Sequence, residues 1–202
     1  MPIRAAKMLF DANLTAAEKL ILDAMQLHRD GHLEESQQFD IVEVGFLKVV
    51  IAWEELISTC FLNYMIGEFD LTGAAAVRYV NPRDLEHAEA MVLEGKSYVE
   101  WGSTEFVRRI ANSFFEDGWL LIDALNSSTI ANVKLIRNRI AHRSNTTENR
   151  FRDVVRAMHG TVPVPGWSPG QFLVQRKSSR SPRYYRELIR GIQVCAAKLV
   201  ND

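Results

Sequence analysis

Apolar residues recur at three- and four-residue intervals through most of this chain, and the recurrence is cut by capping and turn residues into helix-sized segments. Thr15-Ala-Ala-Glu18 reads as a capping box that opens a helix with Leu20, Ile21, Ala24 and Leu27 on one side, ending near Gly31. Residues 32–39 read as a polar loop. From about Asp40 to Ile66 runs the longest segment, apolar around most of its circumference through Val42, Phe46, Val49, Val50, Trp53, Leu56, Ile57, Cys60, Phe61 and Tyr64. A helix of that kind belongs at the centre of a bundle. Asn81-Pro82 predicts the next start and Gly95 its stop. Ser103 caps another helix to about Glu116, with Gly118 past its end.

Ser127 or Ser128 opens a helix over about 128–143, and Thr146 or Thr147 opens one that stops at Gly160. The Pro/Gly-rich stretch 161–171 predicts a loop. Phe172-Leu-Val-Gln175 has the look of a short strand, and Ser181-Pro182 starts a last helix running almost to the end of the sequence. No internal repeat and no long linker interrupts the series. The expectation is an all-α, single-domain bundle of six to seven helices over residues 1–202, with 161–202 as a C-terminal extension.

Composition adds little until it is divided. The net charge of the whole chain is -1. Residues 1–100 carry 8 Lys/Arg against 17 Asp/Glu, and residues 101–202 carry 16 against 8. The basic second half attracts a polyanion, unless the two halves neutralise each other. Cys60 and Cys195 sit in apolar stretches, which suits buried free thiols in a reducing cytosol. With no CxxC and no His/Cys cluster, a metal site and other cofactors are not expected. Met1-Pro-Ile-Arg lacks a signal-peptide pattern, and Lys48, Glu54 and Glu55 break the longest apolar stretch, so the expectation is a cytoplasmic protein without membrane contact.

The segment with the most chemistry is Ile136-Arg-Asn-Arg-Ile-Ala-His142. On an ideal helix Ile136, Ile140 and Val133 form the core stripe, and Arg137 and His142 lie about 140° apart with the small Ala141 between them. Asn138 falls one turn before His142. Each residue also has a plain account: Arg137 as an ion-pair partner of an acidic residue, His142 as a cation favoured at a helix C-terminus. Arg152 and His159 repeat the residue types at a different spacing and read as surface positions.

The segment resembles the signature of the HEPN superfamily (higher eukaryotes and prokaryotes nucleotide-binding): an arginine, a polar residue, then a histidine after four to six intervening residues, on a helix of an all-α bundle. Arg137, Asn138 and His142 match it in order. The long second helix with Ala52-Trp53-Glu54 is a looser likeness, and the stretch after Gly160 has no counterpart. The resemblance implies a metal-independent endoribonuclease, the toxin or effector of a bacterial toxin–antitoxin, abortive-infection or phage-defence system. It also implies a homodimer and a cognate antitoxin or other partner protein. The alternative is a non-catalytic HEPN scaffold that binds nucleotide, RNA or a partner protein, and a helical adaptor with no nucleic-acid role is a third. The residues suit the nuclease chemistry. RNA brings its own 2′-OH nucleophile, an imidazole with a pKa of about 6.5 moves a proton at neutral pH, and a guanidinium steadies charge on the phosphate. Asn138 and Glu54 are then supporting residues. Arg139, Arg143, Arg176, Lys177 and Arg180 are RNA-binding candidates, with Tyr184 and Tyr185 as stacking platforms beside the last three.

Overall fold

The computed structural model describes residues 1–163 and 166–202, and these contain nine α-helices, one short 3-10 turn and no β-strand. The chain is all-α, with more helices than the six to seven expected. The helices are α1 (Ile3–Arg29), α2 (Glu35–Ile66), α3 (Leu85–Leu93), α4 (Thr104–Phe114), α5 (Trp119–Leu125), α6 (Ser128–Ala141), α7 (Asn145–His159), α8 (Pro169–Val174) and α9 (Tyr184–Val200). Of the expected loop 161–171, Val164 and Pro165 lie outside the described residues. No helix among the described residues is long and apolar enough to cross a membrane.

Several boundaries differ from the sequence expectation, each for a local reason. Thr15 lies inside α1, because the buried stripe begins upstream at Ile3, Ala6 and Phe10 and continues through Leu14, Ala17 and Ile21. The polar stretch before Asp40 is already helical from Glu35. The start expected at Asn81-Pro82 falls instead at Leu85, where the Asp84 carboxylate accepts from the His87 N–H at 2.8 Å. Ser103 caps α4 as expected, but the helix stops at Phe114. The turn Glu116–Gly118 follows, with Asp117 and Gly118 left-handed, and then α5, which the sequence pattern did not suggest. Ser144, rather than Thr146 or Thr147, caps α7 through a reciprocal bond with Thr147. Phe172–Gln175 is not a strand. Ser168 forms a capping box with Gln171, Pro169 takes the first helical turn, and the apolar run becomes α8. The last helix begins at Tyr184, because Arg176 and Arg183 pair in an isolated β-bridge that keeps Ser181-Pro182 in the loop.

The chain divides into two compact units, neither a continuous stretch of sequence: residues 1–11, 52–130 and 192–202 form unit 1, and residues 12–51 and 131–191 form unit 2.

Unit 1 is organised on the C-terminal half of α2. Phe61 is fully buried and meets the rings of Trp101, Phe114 and Phe115 at centroid distances of 5.4, 6.1 and 5.2 Å. One turn later the Tyr64 hydroxyl donates to the Leu199 carbonyl at 2.8 Å. Burial pushes the Cys60 thiol up to about 12, so it stays protonated; Cys195 is also buried and free. The loop after α2 is fastened by Asp70, whose carboxylate accepts from Thr72, the Ala74 N–H and the Asn201 amide. Burial opposes ionisation of Asp70, but these donors outweigh it and hold the carboxyl below its ordinary range.

Unit 2 is built on the N-terminal half of α2. Its apolar residues include Val42, Phe46, Val49 and Val50, together with Ile21 of α1, Val133 and Ile136 of α6, and Phe151 and Val154 of α7, all buried. Gly45 lets α1 approach closely: a Cβ there would lie 2.6 Å from an Ile21 side-chain carbon. Phe172 of α8 stacks on Tyr184 at 4.5 Å and meets Phe151 edge-on at 5.7 Å.

Candidate functional site

The motif helix α6 runs regularly to Ala141, and the His142 N–H still donates to the Asn138 carbonyl at 2.9 Å. That bond closes the last turn of α6 at His142, and on an undistorted helix Arg137 and His142 stand about 140° apart. Ile136 and Val133 face inward and are buried; Arg137, Asn138, Arg139 and Ile140 are half-buried; Ala141, His142 and Arg143 are exposed.

Two bonds set the site's local geometry. The Arg137 guanidinium donates to Asn138 Oδ1 at 3.2 Å, so Asn138 steadies the arginine. The Thr147 hydroxyl donates to the His142 carbonyl at 2.6 Å, which ties the end of α6 to the start of α7. The His142 imidazole has no hydrogen bond or ion pair among the described residues and stands in solvent. None joins Arg137 to His142 either. One copy thus presents a guanidinium steadied by Asn138 and an exposed imidazole without a hydrogen-bond partner among the described residues, and no bond brings the two together.

Arg139 is held in a polar cluster that no sequence pattern signals, and the exposed Arg143 acts on the same cluster through its charge. Arg139 forms an ion pair with Glu148 of α7 at 2.5 Å. Glu43 of α2 accepts the Gly170 N–H at 2.8 Å, which fastens α8 to α2. At Gly170 a Cβ would lie 2.5 Å from the Phe39 carbonyl oxygen, so only glycine permits this approach. Glu43 is half-buried, and burial raises its carboxyl above the ordinary value. The Gly170 N–H opposes that shift, Asp40 adds to it, and the positive charges of Arg143 and then Arg139 oppose it further.

A raised folded-state value means that ionised Glu43 costs stability at neutral pH and costs none once the carboxyl is protonated in both states. Glu43→Gln keeps an acceptor for Gly170 and removes the charge. It is expected to be at least as stable as the parent at pH 7, with the difference shrinking as pH falls to 4. Thermal unfolding across that range checks it, and a variant less stable than the parent at pH 7 would show that attraction to the arginines dominates.

Glu54 belongs to unit 1, where it packs against Gly102, while Arg137 and His142 belong to unit 2. Arg176, Lys177 and Arg180 are exposed on the loop before α9. Tyr184 and Tyr185 are each about 1% exposed, so neither offers a face for stacking a base, contrary to the sequence expectation. Burial raises both phenols above their ordinary value. His159 is half-buried and held, its Nδ1 lying 2.8 Å from the Tyr184 hydroxyl and its ring 4.8 Å from that of Trp167. Among the described residues no group of three or more His, Cys, Asp or Glu side chains is arranged to hold a metal ion.

No family model, no curated protein and no solved structure matches this chain.

Proposed function

We propose that this chain is a metal-independent endoribonuclease of the HEPN type, acting as the toxin or effector of a bacterial toxin–antitoxin, abortive-infection or phage-defence system. The observation that carries the reading is the pairing of an exposed, unengaged imidazole at His142 with a guanidinium at Arg137 steadied by Asn138, on the surface of a helix. A structural histidine is normally tied to a neighbour, as His159 is here.

Because the two side chains diverge on one helix, the reading places the reaction in a two-fold homodimer with Ala141 near the axis. Two arginines and two histidines then surround one cleft. The imidazole of one copy takes the 2′-OH proton, and the 2′-oxygen attacks the adjacent phosphorus. The P–O5′ bond breaks, and the departing 5′-oxygen takes a proton from the second imidazole or from water. Guanidinium groups hold the charge that builds on the phosphate oxygens.

The test follows from the bond that breaks. Cleaved RNA is expected to carry a 2′,3′-cyclic or 3′-phosphate on one fragment and a 5′-hydroxyl on the other, with cleavage surviving a chelator. Mass analysis of the fragments reads the ends. Cleavage of a strand lacking 2′-OH groups, or fragments carrying 5′-phosphate, would overturn the mechanism. RNA bound but never cut would move the chain to the scaffold reading.

A further inference from the structure

The strongest unexplained feature of unit 2 is a concentration of arginine where α1 ends and α9 begins. Arg176 and Arg183 face each other across the β-bridge that closes the loop 176–183. Arg176 donates to the Ser179 carbonyl at 3.2 Å, and Arg183 donates to the Val174 carbonyl, so both are fixed by the backbone rather than by acids. Arg186 lies in the first turn of α9, and its ion pair with Glu18 at 3.0 Å brings that turn against α1. Burial holds the Arg183 guanidinium below its ordinary value, and the like charges of Arg176, Arg29 and Arg186 add to the effect. Among the described residues Arg29, Arg176 and Arg183 have no carboxylate partner. Arg190 extends the line: Arg186 and Arg190 lie about one turn apart on α9, about 6 Å along the axis, with Arg183 just ahead of the helix.

Arg186 shares its charge with Glu18, while Arg29, Arg176 and Arg183 have no such partner among the described residues, so the cluster keeps a net positive charge that a polyanion can share. The linear layout of the cluster suits a chain of phosphates better than a single one. The aromatic residues beside it are buried, which removes both base stacking and insertion among acyl chains. We propose that the arginine cluster formed by Arg29, Arg176, Arg183 and Arg186 is a sequence-independent seat for the phosphodiester backbone of single-stranded RNA. It rests on the ribonuclease reading only for the choice of RNA as the polyanion. The seat orients the strand through its phosphates and leaves the choice of cleaved bond to other residues.

The probe is a fluorescent 20-nucleotide oligouridylate, and the protein is the full chain carrying His142→Ala, so that binding is read without cleavage. Anisotropy is recorded between about 50 and 300 mM KCl. Adding Arg29→Gln, Arg176→Gln and Arg186→Gln together is expected to weaken binding at least tenfold at the lowest salt. The log–log salt slope should fall by about 2, at about 0.7 for each phosphate no longer neutralised. The same three positions changed to lysine should stay within about threefold of the parent, which separates lost charge from a damaged fold. A mixed-sequence RNA and a deoxyoligonucleotide of equal length should bind within about threefold of the oligouridylate, since nothing in the cluster reads a base or a 2′-OH. The proposal is overturned by affinity and slope unchanged in the glutamine variant, by the lysine variant binding as poorly as the glutamine one, by strong base or sugar preference, or by capture on phosphatidylserine vesicles with no RNA binding. Failure of the two readings is distinguishable. An arginine-dependent RNA complex with a parent chain that never cuts RNA removes the nuclease and keeps the seat. Cleavage by the parent with binding indifferent to the three arginines does the reverse.

Discussion

RNA cleavage by the intact chain is expected to fall about 10²–10⁴-fold when His142 is replaced by alanine, the usual contribution of a positioned acid–base group. Arg137→Ala should cost a similar amount, through weaker stabilisation of phosphate charge. Stability should barely move. The His142 side chain is exposed and makes no hydrogen bond among the described residues, so its removal should change unfolding free energy by no more than about 0.5 kcal/mol. That combination, large in rate and negligible in stability, is what separates a reacting imidazole from a helix-terminal cation. A histidine present only to complement the helix dipole would give the opposite: a measurable loss of stability and unaltered cleavage. Single-turnover cleavage beside denaturant unfolding of the same samples reads both. Less than a threefold drop in rate would remove His142 from the mechanism.

The largest expected loss of stability lies in unit 1, at Phe61. Its ring is fully buried and touches three other aromatic rings, all of them drawn from the segment 101–115. Phe61→Ala should cost about 3–5 kcal/mol, the range for emptying a ring-sized space in a core that collapses incompletely. Phe61→Leu, which refills much of the volume, should recover a large part of it. A cost under about 1.5 kcal/mol for the alanine variant would mean that Trp101, Phe114 and Phe115 close over the space, and that the segment carrying them is loosely held. Urea unfolding monitored by tryptophan fluorescence suits the measurement, because Trp101 is one of the rings that Phe61 meets.

The elements that the amino-acid pattern revealed are those whose signal is local or very long. α2 is apolar on most sides over many turns, and Ser103 and Gly160 punctuate α4 and α7 as side-chain and backbone chemistry requires. α5 escaped because Asp117-Gly118 reads as a stop, and because Trp119–Leu125 is too short and too uniformly apolar to show a period. α8 escaped because Phe172-Leu-Val is equally compatible with a strand; what decides it is the Ser168–Gln171 cap a few residues upstream. At the site, the residues of the motif could be singled out because they share one helix. Glu43 could not, since its relation to Arg139, Arg143 and Gly170 exists only once α2, α6 and α8 have packed. The adjacent tyrosines show the reverse error. Beside so many arginines Tyr184 and Tyr185 look like a stacking surface, yet Tyr184 is spent on Phe172 and His159. Burial is a property of the assembled chain, and no spacing rule reports it.

The division of the chain bears on the order in which a ribosome delivers it. Unit 1 takes its first residues from the beginning of the sequence and its closing bonds from the end: Tyr64 to Leu199, Leu71 to Val200 and Asp70 to Asn201. Synthesis proceeds at about 5–20 residues per second, so the partners of Tyr64 and Asp70 arrive several seconds after them. Through that interval the half of α2 that carries Phe61 and Tyr64 has been made, but the helix that covers the Tyr64 hydroxyl has not. Unit 1 therefore gains its closing bonds only once residues 199–201 have been made, long after the residues they fasten.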